Sequence, residues 1–458
     1  MSSRLDDFYQ SSPVWLQQIM VGGYGWWWYR QRYNAFFHQL VDEYNSRERW
    51  NAAQFQTYQE LQLRNLFTAA SRSPYYRQVL DESDVWRGDD PFVALKRLPY
   101  LSKETLRTRP ADLLTQRPSR RTKVFKSSGT TGTPTEIYYP AEFHALEVAI
   151  PAARNLAWAG VNYRQRRVMF GVRKVCRFDQ GKPPFWRYSP VENMTYASIY
   201  HLSPEHLPAY INFLNEFRPD MIMGYPNALA IIARFALETG RLPAPAKAIF
   251  TTSETVTDQL RTALEKAWQC KVFDRYAAVE GCMFASQCEY GKYHVSPEVG
   301  MIEIVDENGK ECAPGVPGEV IVTGLQNMLQ PLIRYRIGDV AQWASDQSCQ
   351  CGRSMPILEG IEGRIEDMCT TPDGRKMLRF DTVFKGITRI KEAQVVQEAL
   401  DRFVIYIVPG NGFDNGDISH IKENMKLHAG NVHTDVQKVE KIARTSSGKF
   451  RAVICKVH

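Results

Sequence analysis

In the stretch "AAQFQTYQELQLRNLFTAAS" apolar residues recur every three or four positions, the spacing that puts one buried face on a helix. Residues 1 to about 120 share this texture, with Pro74 and Pro91 as punctuation, so the chain is expected to open with helices. From about Val124 the pattern changes. Short β-branched runs ("RVMFGV", "MIMGYP", "AIFTTSE", "CKVFDRYA") alternate with amphipathic segments such as "PEHLPAYINFLNEF" and "NALAIIARFALETG". That alternation predicts parallel strands joined by crossover helices. Between about 293 and 345 strands and turns take over, with an Asn-Gly pair and "PGVPG" supplying hairpin and loop chemistry. After Arg364, "RFVIYIVPG" and "DISHIKENMKLHAG" predict mixed strands with one helix. The expected fold class is α/β: a large N-terminal domain (residues 1–363) with mixed sheets and crossover helices, then a small, mobile α+β domain (residues 364–458).

Composition narrows the function classes. A chain of 458 residues exceeds one ordinary core, and 44% hydrophobic with 23% charged residues argues against disorder or a fibrous repeat. The net charge of +7 is spread out, and clusters such as Arg164–Arg167 lack interleaved aromatics, so no nucleic-acid partner is expected. No stretch approaches the roughly 18–20 apolar residues that span a bilayer, and the start lacks the order of a secretion signal. A cytoplasmic location is expected. The Trp-rich segment Trp15–Arg30 is expected to pack on its own protein rather than to rest on a membrane. Nine cysteines, an odd number, then serve burial, metal binding or reactivity rather than a disulfide framework.

The chemistry begins at "KSSGTTGTPTEIYYP", which spends Ser127 to Gly132 on residues that bury almost nothing. Glycines let backbone N–H groups converge on an anion and hydroxyls add donors, so a phosphate cradle and a simple turn both fit. No Gly-Lys-Ser/Thr closes the loop, which excludes a Walker A site. Four more motifs follow in order: "DRYAAVEG", "YRIGD", "EGRIED" and "RTSSGK". The ordered set resembles the adenylate-forming superfamily of acyl-CoA synthetases and adenylation domains. Within it the chain is similar to the phenylacetate–CoA ligase branch and its CapK-like members, through "CQCGR", "LSPEHLPAYINFLNEFRPDMIMGYPNAL" and the short C-terminal domain.

The resemblance implies roles residue by residue. Ser127, Ser128, Gly129, Thr130, Thr131 and Gly132 would hold the ATP phosphates, with Thr130 among the catalytic groups. Glu280 would help hold Mg²⁺, a cation that favours hard oxygen ligands, and Tyr276 precedes it by four residues. Ser253 and Glu254, in "TTSET", would lie near adenine. Asp339 would accept both ribose hydroxyls, its alternative being a surface network with Arg334 and Arg336. Arg364 would sit near ribose and phosphate, Asp367 at the inter-domain hinge, and Lys449 would bridge the attacking carboxylate and the α-phosphate. Thr135 stands where many relatives carry a lysine, leaving Lys126 or Lys449 to meet the phosphate charge.

Cys288, His294, Cys349 and Cys351 supply three thiolates and one imidazole, the donor set of a structural Zn²⁺ site, with Cys282 in reserve. Reduced thiols beside an ordinary histidine are the alternative. The implied function is ATP-dependent activation of an acid, aromatic by resemblance, to an acyl-adenylate, then transfer to coenzyme A. An amine, hydroxyl or carrier-protein thiol as acceptor is a second reading, and a silent nucleotide-binding scaffold a third. An oligomer is compatible with the sequence, which names neither the acid nor the acceptor.

Overall fold

Five of the seven helices described in the first 110 residues begin where the sequence supplies a side-chain cap. In a computed structural model that describes residues 3–83, 90–126, 135–171, 173–374, 376–377, 380–384, 387, 389–445 and 450–457, these helices are α1 (Ser3–Ser11), α2 (Val14–Arg32), α3 (Ala35–Arg47), α4 (Ala52–Ala70), α5 (Pro74–Glu82), α6 (Pro91–Arg97) and α7 (Lys103–Thr108). Asn34 accepts from the Phe37 N–H at the start of α3, and Asn51 and Gln54 form a reciprocal capping box on α4. Ser73 caps α5 with Pro74 in its first turn, where the missing N–H costs nothing. The predicted stripe on α4 is real: Phe55, Leu63, Leu66, Phe67 and Ala70 are buried.

Two compact units divide the chain: residues 1–303, 321–337 and 344–359 form one, and residues 304–320, 338–343 and 360–458 the other. The first unit holds β1 (Lys123–Lys126) and β2 (Glu136–Tyr139), an antiparallel pair with Phe125 opposite Ile137. Its main sheet contains β3 (Arg167–Gly171), β4 (Trp186–Ser189), β5 (Met194–Ser198), β6 (Met221–Gly224), β7 (Ala248–Thr252), β8 (Lys271–Ala277), β9 (Phe284–Gln287) and β10 (Tyr293–Val295), in the order β10-β9-β8-β7-β6-β3-β5-β4. As the alternation predicts, β8, β7, β6, β3 and β5 run parallel. The crossovers carry α9 (Leu207–Phe217), α10 (Pro226–Thr239) and α11 (Asp258–Trp268), while α8 (Phe143–Pro151) precedes β3. Phe170, Ile222, Leu229, Ile232, Ile249, Leu264 and Trp268 share the core between sheet and helices. Four further strands, β11 (Gly300–Val305), β12 (Gly318–Gly324), β13 (Tyr335–Trp343) and β14 (Ile357–Arg364), pair in that order and run through the division. The predicted Asn-Gly turn follows β11: Asp306 accepts from the N–H groups of Asn308 and Lys310, and Gly309 takes φ +77°.

In the second unit β15 (Cys369–Thr370) pairs with β16 (Lys376–Met377). A separate sheet has the order β19-β18-β17-β20, made of β17 (Ile390–Ala399), β18 (Arg402–Pro409), β19 (His433–Lys438) and β20 (Val453–Cys455). Helix α12 (Asn415–Ala429), capped by Asp414, buries Ile421 and Met425 against Phe403, Ile405 and Ile407. This is the mixed small domain with one helix that the pattern after Arg364 predicts.

The Trp-rich segment departs from expectation on one side. Helix α2 lies along the edge strand β4, where Gln18 accepts from the Tyr188 N–H at 3.1 Å and donates to the Tyr188 carbonyl. Buried Gln17 accepts from Arg187 Nε at 3.0 Å. Gly25 is needed at this contact, since a Cβ there would lie 2.0 Å from Ser189 Oγ. The opposite face of α2, with Trp15, Ile19 and Trp26, stands in solvent. Among the described residues, no helix is long and apolar enough to cross a membrane.

Candidate nucleotide site and metal centre

Ligands of open α/β sheets bind beyond the carboxyl ends of the parallel strands. Here those ends are Gly171, Ser198, Gly224, Thr252 and Ala277. At Gly224 a Cβ would lie 2.8 Å from the Phe170 carbonyl, so β6 and β3 approach each other closely there.

The loop after β7 begins with Ser253 in the left-handed region, φ +71°, a strained conformation for a non-glycine residue. Its neighbour Glu254 accepts from the backbone N–H and side-chain Nδ2 of Asn227, at 3.2 and 3.0 Å. Asn227 lies in the first turn of α10, so the carboxylate also complements the helix dipole.

The loop after β8 carries Tyr276 at the strand end and then Glu280, which is buried. Tyr139, on β2, donates its hydroxyl to the carbonyl of Val279. Its ring stacks on Phe143 at 3.7 Å, and Gly281, at φ +58°, passes beneath the hydroxyl with no room for a Cβ. Burial, reinforced by Cys282, Glu280 and Glu147, holds the Tyr139 phenol well above its usual pKa, so it stays a neutral donor. Below the loop, buried Asp274 accepts from Thr251 Oγ1 and the Tyr293 hydroxyl, each at 2.6 Å, tying β7, β8 and β10 together. Burial raises the Asp274 pKa, and these donors offset part of the rise. Sequence reading passed over both Tyr139 and Asp274. Their nearest signals were the "IYYP" that follows the hydroxyl-rich segment and the aspartate opening "DRYAAVE".

In the second unit Asp339 and Arg364 come together: the guanidinium Nε donates to Oδ1 at 2.8 Å across neighbouring strands β13 and β14. Arg334 is engaged elsewhere, in a two-point contact with Glu303 at 3.0 and 3.1 Å, and Arg336 stacks over Tyr100. Asp367 pairs with Arg451. Lys126 pairs with Glu136 at 3.0 Å, and Thr135 is buried. Ser127, Ser128, Gly129, Thr130, Thr131, Gly132 and Lys449 lie outside the described residues.

Cys288, His294, Cys349 and Cys351 converge, with their ligand atoms all within 4.8 Å of one another. The sulfurs of Cys288 and Cys349 are 3.7 Å apart, and Cys351 Sγ is 3.3 Å from His294 Nε2. A tetrahedron with Zn–S bonds of about 2.3 Å has edges of roughly 3.8 Å, so the spacing suits zinc, whereas a disulfide needs about 2.05 Å. The other imidazole nitrogen, Nδ1, faces the Met355 carbonyl at 3.3 Å, an arrangement that fixes Nε2 as the ligand atom. Around the four donors Arg49 donates to the Cys351 carbonyl at 2.8 Å, and Arg353 reaches both Glu48 and Glu289 at 2.8 Å. The cluster thereby joins the end of α3, the β9–β10 turn and the loop before β14.

Residues 195–330 match the AMP-binding enzyme family, and residues 370–456 match the CapK C-terminal domain. Protein CapK of Staphylococcus aureus is 27% identical over 98% of this chain and 99% of its own length. A phenylacetate-coenzyme A ligase of Thermus thermophilus is 27% identical over 65% of this chain and 67% of its own. In fold the chain is similar to 2-hydroxyisobutyryl-CoA ligase in the postadenylation state with 2-HIB-AMP, with a TM-score of 0.70 and 20% identity, covering 90% of this chain and 91% of that one.

Proposed function

The chain belongs to the adenylate-forming, AMP-binding enzymes, with a CapK C-terminal domain, and from that premise we propose that it converts a carboxylic acid, aromatic in type, to its coenzyme A thioester in two steps. In the first, a carboxylate oxygen attacks the α-phosphorus of ATP, the bond to the β-phosphate oxygen breaks, and pyrophosphate leaves. In the second, the sulfur of coenzyme A attacks the acyl carbon and AMP leaves with the bonding pair.

The observation that carries this reading is buried Glu280 at the carboxyl end of a parallel strand, inside the AMP-binding match. Glu280 holds the metal side of the triphosphate. Ser127 to Gly132, Thr130 among them, donate to phosphate oxygens, and Tyr276, Ser253 and Glu254 border the adenine. Asp339 accepts from the ribose diol, oriented by the guanidinium of Arg364. Lys449 neutralises charge between the acid and the α-phosphate. Mg²⁺, held in part by Glu280, would add neutralisation of charge on the pyrophosphate. The aromatic acid is supported by the phenylacetate-coenzyme A ligase among the relatives. Zinc at Cys288, His294, Cys349 and Cys351 is structural, since the four protein donors leave no open position.

A second reading changes only the acceptor. One experiment separates the two: pyrophosphate release screened over aromatic and aliphatic acids, with hydroxylamine to trap the adenylate, then with coenzyme A instead. Release with a trapped hydroxamate and formation of a thioester support the first reading; trapping without a thioester supports the second. Lys449→Ala is expected to slow release by about 100-fold or more while ATP still binds. Unchanged release in that variant removes the assigned role.

A further inference from the structure

A surface helix normally turns its apolar stripe inward and its polar face to water. Helix α2 does the reverse on its outer side. Gln17, Val21, Gly25, Trp28 and Arg32 recur at intervals of three and four and form the inner face, where Gln17 and Gly25 are buried and Val21 packs on the core. Trp15, Ile19, Gly23, Trp26 and Arg30 recur at the same intervals on the opposite side. Trp15 is 65% exposed, Ile19 61% and Trp26 51%. Leu5 and Phe8 on α1, and Trp27 beside the stripe, are exposed as well. Isolated apolar residues on a surface need no explanation, but exposed Trp15, Ile19 and Trp26 aligned on one helix face do.

Basic groups flank the C-terminal end of the stripe. The Arg30 guanidinium lies 5.1 Å from the Trp26 ring centre, and Lys123 Nζ 6.0 Å from that of Trp27. Exposed Arg117, Arg120 and Arg121 precede Lys123 in sequence. None of these five cations has a carboxylate partner among the described residues. Asp6 and Asp7 sit at the other end, on α1.

We propose that α2 is a membrane-surface anchor: Trp15, Ile19 and Trp26 enter the headgroup–acyl boundary of an anionic bilayer, while Arg30 and Lys123 pair with lipid phosphates. Three observations select this occupant. Indoles favour the boundary between hydrocarbon and water, which suits exposed Trp15 and Trp26 with Trp27 beside them. No described helix can span a bilayer, so α2 lies flat, with Trp15 and Trp26 about 16 Å apart along its axis. The unpaired cations complement anionic phosphates, whereas a second copy docked on the same stripe would bring like charges together. The expectation that this segment packs on its own protein is met by its inner face, and the proposal concerns the outer face alone.

The test uses the full chain and vesicles of phosphatidylcholine alone or with about one third phosphatidylglycerol. The protein is expected to co-sediment with the anionic vesicles, with blue-shifted tryptophan emission and quenching by brominated acyl chains. The triple variant Trp15→Ser, Ile19→Ser, Trp26→Ser should lose at least about tenfold in partitioning, with its circular dichroism and melting midpoint kept. Arg30→Glu with Lys123→Glu should abolish the preference for anionic lipid. If the triple variant misfolds, the single variants and the brominated-lipid quenching of the wild type still decide. Wild-type protein left in the supernatant with both vesicles overturns the proposal. So does a dimer in solution that the stripe variants dissociate, which would give the stripe to a second copy.

Discussion

Tyr139 holds a backbone carbonyl next to a charged side chain, and that makes it informative to alter. Tyr139→Phe keeps the ring on Phe143 but removes the donor to Val279. The expected loss is about 1 kcal/mol of stability in thermal or urea unfolding, with a several-fold rise in the KM for ATP if the Glu280 loop loosens. Another residue sets a pH response. Buried His201 meets the Ser198 hydroxyl at 2.9 Å and the Arg177 carbonyl at 2.9 Å, and burial lowers its pKa. A lowered imidazole pKa means that the folded state binds fewer protons than the unfolded one. The contribution is therefore present above the ordinary histidine pKa and fades as pH falls through the folded value. Melting midpoints from pH 7 to 5 should fall less steeply in His201→Gln than in the wild type. Identical slopes would remove His201 from the response.

Among elements, α2 shows most plainly what an apolar pattern leaves open. It signalled a helix, yet nothing in it said which side would dock on β4. The docking rests on Gly25 and on Gln17 and Gln18, two polar residues in an apolar run. Gly25→Ala gains about 1 kcal/mol of helix propensity. It also puts a methyl 2.0 Å from Ser189 Oγ and 2.9 Å from Glu192 Oε2, in a contact where crowding costs about 1–3 kcal/mol. A net loss of about 1 kcal/mol is expected by urea unfolding; a more stable variant would show that the contact yields easily. The parallel strands were far more legible, because "RVMFGV", "MIMGYP", "AIFTTSE" and "CKVFDRYA" are β-branched or apolar runs of strand length that need no distant partner to be recognised. Glu254 illustrates the opposite case. Its contact with Asn227 depends on how β7 stands beside α10, a matter of tertiary neighbours rather than local pattern.

At the scale of the molecule, the Cys/His cluster gathers positions some 60 residues apart: the pairing of β10 with β9 and β14 brings the sulfurs of Cys288 and Cys349 to 3.7 Å. The residue types were readable in advance, but their convergence follows from strand register, which spacing alone does not encode. Purified protein is expected to carry one zinc ion per chain by elemental analysis. A strong chelator, or Cys349→Ser, should remove it and cost at least about 2 kcal/mol of stability, since metal binding there is coupled to folding. Metal-free protein with an unaltered melting curve would sink the assignment. The charged residues proposed for the nucleotide were singled out by the order of their motifs along the chain, whereas Tyr139 and Asp274 emerged only once β2, β7, β8 and β10 were in place.

The hydroxyl of Tyr139 has one more implication. Strand β2 begins just past the hydroxyl-rich segment and ends at the tyrosine that grips the turn beside Glu280. The tyrosine is thus a tether from β2 to the backbone just before Glu280, so under the proposed nucleotide role the two sides of a bound triphosphate would be set together rather than one by one.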